Sequence, residues 1–359
     1  MRRYVIGIAA GLALVTACKR EQPAKEEAKP AEAAKAEVKI DRALLAAFGP
    51  PLPQRIDRGS EPPSQELVEL GRMLYFDTRL SKNHDLSCNS CHDLRNWGQD
   101  GKPVSSGHRG QLGARNSPTV YNAAGRHAQF WDGRAADVEE QALGPILNPV
   151  EMAQPNEERV IATLKSIPEY VERFKKAFPG EEDPVTFKNV GIAIGAFERG
   201  LTTPSRWDEF LAGKEDALTE EEKKGFLKFV EVGCTTCHMG TYVGGTMFQK
   251  LGLVHPWPSD KDLGRFAVTN NEADKFVFSV PSLRNVEKTA PYFHDGSVAT
   301  LEEAVRLMAY HQLGKELKKE EIDSIVAFLK TLTGKIPEEY IAQPQLPPST
   351  DKTPMPDPT

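Results

Sequence analysis

The chain has 359 residues, of which 39% are hydrophobic and 27% charged, and its formal net charge is −6. This length predicts about two domains, and the mean hydropathy of −0.46 excludes a polytopic membrane protein. The acidic balance argues against a nucleic-acid partner, because such binding relies on Lys and Arg contacts to phosphates. The 27 prolines and 28 glycines predict long ordered loops around a helical frame.

The N-terminus has the features of an export signal, which we assign to residues 1–17. Arg2 and Arg3 precede an apolar stretch that is too short to span a bilayer as a helix. The Val-Thr-Ala-Cys sequence that ends at Cys18 resembles the lipobox of bacterial lipoproteins, so we expect a periplasmic protein with a lipid anchor on Cys18. The alternative is an ordinary secretory signal that is cut nearby. Residues 18–54 then form the lipidated N-terminus and a low-complexity tether.

The other four cysteines form two C-x-x-C-H motifs, Cys88-Asn-Ser-Cys91-His92 and Cys234-Thr-Thr-Cys237-His238. In an exported protein this motif predicts a covalent c-type haem, with the two thiols bonded to the haem and the histidine as proximal iron ligand. Zinc sites or a disulfide framework are the alternatives. The motifs lie 146 residues apart, whereas the halves of a zinc ribbon are about 15–20 residues apart, so the spacing favours two haems.

The spacing of the motifs also predicts the domains: an N-terminal haem domain at 55–205 and a C-terminal haem domain at 206–340. The proline-rich tail at 341–359 is expected to be extended or disordered at its end. Strand signals are weak, so the predicted fold class is mainly α, with two cytochrome c-like helical domains.

Apolar periodicity and capping signals predict a helix before each motif and two helices after the second. The residues that carry these predictions are Leu67, Leu70 and Leu74; Thr219, Glu222, Phe226, Phe229 and Val230; Thr300, Glu303, Val305 and Leu307; and Ile322, Ile325, Val326 and Leu329.

The residue opposite each proximal histidine determines what the haem can do. His108 lies 16 residues after His92 in a glycine-rich loop, and this spacing makes it a candidate distal ligand. Met308 is the candidate at the second haem, because a thioether ligand raises the reduction potential relative to histidine. Its place on the apolar face of a helix also suits an ordinary core residue.

Longer stretches occur around and between these residues. They are CNSCH, the His108 loop, NSPTVYN at 116–122, FWDGRA at 130–135, EEQALGPILNPVEM at 139–152, GCTTCH, TAPYFHDG at 289–296 and VRLMAYHQLG at 305–314. In this order they resemble the bacterial di-haem cytochrome c peroxidase family, to which the methylamine-dehydrogenase maturation enzyme is related.

The resemblance implies a role for each matching position. His92 and His108 would bracket a low-potential, peroxidatic iron, and His238 and Met308 a high-potential iron. The other implied roles are an electron relay between the haems at Trp131, catalytic groups over the peroxidatic iron at Glu151 and Gln141, and a Ca²⁺ site formed by Asn116 with the carbonyls of Thr289 and Pro291.

The implied activity is reduction of hydrogen peroxide to water with electrons from a reduced cytochrome c or cupredoxin, in a homodimer. A carboxylate such as Glu151 can move the protons if apolar neighbours raise its pKa. A protein-modifying oxidase is the first alternative, but it has tyrosine at the position of Met308, and Tyr310 lies two residues away. A pure electron-transfer cytochrome is the second, and the NPVEM segment argues against it. Candidates for the haem propionates are Arg126, Arg134 and Arg284, among which the sequence does not choose.

Overall fold

Helices dominate the computed structural model, which describes residues 1–2, 4–11, 38–59 and 61–359. The α-helices in these ranges are α1 (Arg42–Leu45), α2 (Gln65–Phe76), α3 (Cys88–Cys91), α4 (Val138–Leu147), α5 (Glu157–Lys165), α6 (Pro168–Ala177), α7 (Phe187–Glu198), α8 (Arg206–Leu211), α9 (Glu220–Val232), α10 (Phe266–Thr269), α11 (Leu301–Leu313) and α12 (Lys319–Lys330). Strands β1 (Phe248–Lys250) and β2 (Val277–Ser279) pair antiparallel, with Gln249 opposite Phe278. The mainly α prediction is confirmed.

The export signal and the tether are only partly described, and Cys18 lies outside the described residues. Among the helices of the described ranges, none combines the length and the apolar character that a membrane crossing requires.

The predicted helix starts follow from local side-chain caps. Thr219 and Glu222 form the predicted capping box at the start of α9, and the Thr300 side chain accepts a hydrogen bond from the backbone N–H of Glu303 at the start of α11. Each cap satisfies N–H groups that the first helical turn leaves without partners. Helix α11 ends at Leu313 and is capped by Gly314, whose φ of 64° is readily adopted by glycine.

Two hydrophobic cores lie within one compact unit, residues 38–359. The first surrounds α2, α6 and α7, with Leu74, Tyr170 and Phe197 fully buried. The second surrounds α8, α9 and α12, where Trp207 contacts Phe226 at a ring-centroid distance of 5.1 Å. One C-x-x-C-H motif accompanies each core, since Cys88 packs on the first and Cys234 on the second.

Both ends of residues 38–359 contribute to these cores. Leu45 and Phe48 are buried in the second core, so packed structure begins before the predicted end of the tether at residue 54. The tail packs on the first core through Ile341. It continues over the surface, where Arg79 donates to the carbonyl of Pro347 at 2.8 Å and Thr350 donates to that of Ser166 at 2.9 Å. Of the two expectations for this end, extended or disordered, the structure shows the extended one, because anchoring contacts continue along the tail.

A structural repeat relates the segments that follow the two motifs, and from Asn122 and Asn285 onward its offset is 163 residues. Asn122 and Asn285 have φ of 60° and 62°, and Phe130 and Phe293 have 63° and 71°. Helices α4 and α11 begin at equivalent positions, Val138 and Leu301. Positive φ values are uncommon in non-glycine residues, so their recurrence at equivalent positions shows that the two segments have the same local backbone conformation.

A buried ion pair joins α8 to the loop that follows β2. Asp208 accepts hydrogen bonds from Arg284 at 2.5 and 2.8 Å, and the Arg284 side chain is fully buried. Replacing Asp208 by Asn would leave the guanidinium charge buried without its partner. We expect this change to lower the free energy of unfolding by ~3–5 kcal/mol, measured by chemical denaturation. The control is Glu209→Gln, which removes an exposed ion pair with Lys214 and is expected to leave the unfolding midpoint unchanged.

Candidate active site

The first motif lines a cavity of about 660 Å³ in the N-terminal half. Cys88, Cys91 and His92 form one wall of it. The Nδ1 atom of His92 lies 3.0 Å from the carbonyl oxygen of Pro118. A carbonyl can only accept, so Nδ1 carries the proton and Nε2 keeps its lone pair. In this tautomer the ring can ligate a metal through Nε2.

The cavity also receives Gln141 and Pro145 from α4 and Glu151 from the loop that follows α4. Burial raises the pKa of the Glu151 carboxyl, and the positive charge of Arg134 opposes part of that rise. A carboxyl group with a raised pKa takes up a proton more readily and can return it afterwards. The structure thus places both predicted catalytic side chains of this pocket on the same cavity as His92.

The second motif lines a smaller cavity of about 200 Å³ in the C-terminal half. Cys234, Cys237 and His238 line it together with Met308 from α11. Burial lowers the pKa of His238 to about 4, so its ring is neutral at pH 7, as a metal ligand requires.

The two cavities differ at one pair of equivalent positions. The repeat offset of 163 residues places Pro145 of α4 where α11 has Met308, and each residue lines its own cavity. A thioether can ligate iron, whereas a proline side chain has no donor atom. The C-terminal cavity therefore has a side chain at this helix position that could ligate iron, and the N-terminal cavity does not.

Trp131 lies between the two cavities. It lines both of them and also a third cavity of about 100 Å³. Its indole N–H donates to the carbonyl of Asn116 at 2.9 Å, which holds the ring in place. The residue predicted to be the electron relay therefore lines a cavity in each half.

The third cavity collects the three predicted calcium ligands, Asn116, Thr289 and Pro291. The Asn116 amide nitrogen donates to the carbonyl of Lys102 at 2.9 Å, which leaves its oxygen for another partner. Among the described residues, none donates a hydrogen bond to the carbonyl oxygens of Thr289 or Pro291. An amide oxygen and two carbonyl oxygens are ligands that suit Ca²⁺.

Buried charge provides a test of whether the protein fits haem. Arg126 lines the N-terminal and the third cavity, and its Nε has no hydrogen-bond partner. Burial lowers the pKa of its guanidinium to about 10, and no acidic side chain in the described ranges pairs with it. A buried unpaired cation is costly, and a haem propionate would supply the missing negative charge.

The other two propionate candidates already have acidic partners, since Arg284 pairs with Asp208 and Arg134 with Asp132. The four motif cysteines form no disulfide. Within the described part of the chain, no three His, Cys, Asp or Glu side chains converge on a possible metal site. The residues fit two haems better than zinc or disulfides.

His108 is the predicted site residue that the structure does not bring to a cavity wall. Its side chain is buried, and its Nε2 lies 3.1 Å from the main-chain oxygen of Thr359 in the tail. Its backbone N–H donates to the carbonyl of Glu151 at 2.7 Å. The loop of His108 is therefore attached to the residue predicted to move protons, while the imidazole binds the tail.

Glu198 is a cavity residue that sequence reasoning missed. It lies at the end of α7, is 4% exposed and lines the N-terminal cavity. Burial raises the pKa of its carboxyl to about 8, and the nearby Glu139 adds to the rise. No motif surrounds this residue, and only the packing of α7 against α4 brings it to the cavity.

Comparison with known proteins identifies relatives along most of the chain. Residues 65–216 match a family described as di-haem cytochrome c peroxidase. A cytochrome c551 peroxidase of Nitrosomonas europaea is 50% identical over 301 residues, covering 83% of this chain and 88% of the relative. One from Pseudomonas aeruginosa is 48% identical over 318 residues, covering 87% and 91%. The solved structure of a MauG-like protein associated with microbial copper homeostasis is 31% identical, with a TM-score of 0.72 and coverage of 83% and 97%.

Proposed function

Because the chain belongs to the di-haem cytochrome c peroxidase family and is an oxidoreductase that acts on peroxide, we propose that its two haem sites divide the work. The N-terminal site reduces hydrogen peroxide, and the C-terminal site receives electrons from a small redox carrier. The reaction is H₂O₂ + 2 reduced carriers + 2 H⁺ → 2 H₂O + 2 oxidised carriers.

The difference between Pro145 and Met308 carries this assignment. Met308 and His238 would hold the C-terminal haem from both sides, which suits electron storage at high potential. Cys88, Cys91 and His92 would hold the N-terminal haem, and Pro145, which has no donor atom, would leave a place for peroxide in the same cavity. When bound, the haems supply the iron that takes peroxide and the two centres that exchange single electrons.

Glu151 and Gln141 act on peroxide as groups of this chain. Glu151 takes a proton from one peroxide oxygen and returns it to the other, which makes the departing oxygen a better leaving group. Burial raises the pKa of its carboxyl, which makes the group better able to hold a proton between the two transfers. Gln141, on the same cavity, orients the substrate through its amide. Arg126 lines both the N-terminal and the third cavity and would bind a haem propionate there.

Trp131 connects the two sites. It lines both cavities, and its indole shortens the path for electrons from the C-terminal half to the N-terminal half. His108 would be an exchangeable sixth ligand of the N-terminal haem, and reduction of the C-terminal site would favour its release. Its glycine-rich loop is the two-state element, and the hydrogen bond from His108 to Glu151 couples the loop to proton transfer.

A protein-modifying oxidase is the second candidate within the family. The sequence has Met308 where that enzyme has tyrosine, and Met308 lines the C-terminal cavity. The neighbouring Tyr310 is directed to another contact, stacking on His255 at 4.3 Å. The identities of 50% and 48% to named peroxidases, against 31% to the MauG-like structure, also favour the peroxidase.

Steady-state turnover tests the proposal. The purified protein, with both haems attached, is first reduced by one electron in the presence of Ca²⁺. It is then mixed with peroxide and a reduced cytochrome c or a reduced cupredoxin. We expect peroxide-dependent oxidation of one or both carriers. Absence of turnover with every carrier, together with no high-spin haem, would support the pure electron-transfer cytochrome instead.

We further propose that Ca²⁺ binds to Asn116 and the carbonyls of Thr289 and Pro291. Replacing Asn116 by Ala removes the one side-chain ligand and is expected to weaken Ca²⁺ binding about tenfold or more, measured by isothermal titration. The control is Asn271→Ala, which changes a polar turn on the surface and is expected to leave the affinity unchanged. Equal affinities of wild type and Asn116→Ala would place Ca²⁺ elsewhere.

For location and assembly, the proposal is a periplasmic homodimer attached to a membrane through a lipid on Cys18. Mass spectrometry of the exported protein tests the lipid, and sedimentation tests the dimer.

A further inference from the structure

The end of the tail lies against the His108 loop. The main-chain oxygen of Thr359 is 3.1 Å from His108 Nε2. Because a main-chain oxygen can only accept, Nε2 carries the proton in this contact. Histidine cannot donate that proton to Thr359 and at the same time offer a lone pair on Nε2 to a metal. The contact therefore occupies Nε2, the nitrogen that would otherwise be available to ligate a metal.

Lys82 fixes the end of the tail in this position. Its ammonium donates to the Thr359 oxygen at 2.7 Å and lies 3.5 Å from the carboxylate of Asp357. Its carbonyl accepts from the N–H of Asp357 at 3.0 Å, and its own N–H donates to the carbonyl of Met152 at 2.8 Å. Lys82 thus joins the tail to the residue that follows Glu151.

Further contacts anchor the tail before it reaches His108. Arg159 donates to the carbonyl of Met355 at 2.7 Å, and Ser166 donates to Thr353 at 2.9 Å. Thr353 is itself buried. The tail is therefore held at several points on the N-terminal half, and its last residues are not placed by the Thr359 contact alone.

From this geometry we infer that residues 355–359 position His108 by competing with iron for its Nε2. With the tail bound, the imidazole is held outside the cavity and the N-terminal haem keeps an open side. With the tail released, His108 is free to move into the cavity as the sixth ligand. The inference rests on the proposed role of His108. It adds the tail as the element that sets the fraction of oxidised protein in which the N-terminal haem has an open side.

The loop has the freedom that this exchange needs. Arg109 and Gly110 have φ of 58° and 73°, the first of which is unfavourable for a side chain other than glycine. A rearrangement of the loop can relieve that conformation. Gly107 lies so close to the Val150 carbonyl that an added Cβ would be 2.0 Å away, so the loop packs directly on the segment of Glu151.

The test compares oxidised holoprotein in three forms: wild type, a variant that ends at residue 354, and Lys82→Met. Electron paramagnetic resonance reports the spin state of the N-terminal haem, and stopped-flow mixing with cyanide reports its open side. Loss of a charge-assisted hydrogen bond is expected to shift the open population about tenfold. Both variants should therefore gain a low-spin signal and bind cyanide about tenfold more slowly. Lys165→Met removes an exposed ion pair and is expected to behave as wild type.

Adding His108→Ala to each variant separates the two hypotheses. If the tail positions His108, this second change restores the high-spin signal and the rapid binding of cyanide. A low-spin signal that survives His108→Ala would show that another residue is the ligand and would overturn the proposed role of His108. Unchanged spin states in both tail variants, with wild-type thermal unfolding, would overturn the tail inference alone. So would a wild-type protein whose oxidised N-terminal haem is already fully ligated by His108.

Discussion

Replacing Glu151 by Gln is expected to lower kcat/KM for hydrogen peroxide by ~10²–10⁴-fold, the usual contribution of a positioned acid–base group. The amide keeps the size of the side chain but cannot take a proton from one peroxide oxygen and return it to the other. Steady-state oxidation of a reduced carrier gives the rate, and the absorption spectrum verifies that both haems are attached. The control is Glu158→Gln, the same substitution at an exposed position of α5, which should retain full activity.

The pH dependence of the same rate tests the charge state of Glu151. Activity that needs the carboxylate falls as the pH drops through its pKa. Arg134 lowers that pKa, so Arg134→Gln should raise it and move the acidic limb of the profile to higher pH. An acidic limb that stays in place in Arg134→Gln, or that persists in Glu151→Gln, would assign proton transfer to another group. Glu198, with its pKa raised to about 8, would then be the next residue to replace.

Replacing Met308 by His is expected to lower the reduction potential of the C-terminal haem by a large part of the ~0.8 V range that axial ligands cover. The imidazole favours the oxidised iron more than the thioether does. The C-terminal site would then no longer take the first electron, so turnover with the carrier should fall steeply. Spectroelectrochemical titration measures the potential of each haem.

Two controls accompany this substitution. Arg306→His places the same new ring on the exposed side of α11 and should leave both potentials unchanged. Met308→Leu removes the ligand without offering another and should also change the spectrum of the second haem. A spectrum that stays unchanged in Met308→Leu would mean that Met308 is an ordinary core residue.

The sequence alone predicted the parts that depend on local chemistry. The cysteines and histidine of each motif are adjacent in the chain, and the helix that precedes the second motif follows from the cap at Thr219 and the apolar spacing after it. Glu151 and Gln141 were assigned only through the resemblance. The structure lines one cavity with both, because α4 and the loop after it form one side of that cavity.

Other features depend on contacts between distant segments and could not be predicted in this way. The proline-rich tail has few signals of regular structure, yet it packs against residues that are distant in sequence. Arg79 and Lys82 donate to its main-chain oxygens, and the carbonyl of Ser166 accepts a hydrogen bond from the Thr350 hydroxyl. Glu198 reaches the N-terminal cavity only through helix packing. The repeated P-x-x-x-N and F-x-D-G patterns give the offset that relates Pro145 to Met308. The matching positive φ values show that the backbone repeats at the same offset.

A redox titration followed by electron paramagnetic resonance tests the division of labour most directly. One electron is added per oxidised holoprotein, and the remaining ferric signal is assigned by comparison with Met308→Leu. We expect the electron to reside on the haem of the Met308 cavity, and the remaining ferric haem to be high-spin and to bind cyanide. A first electron on the N-terminal haem, or a remaining ferric haem that is low-spin and refuses cyanide, would contradict this expectation.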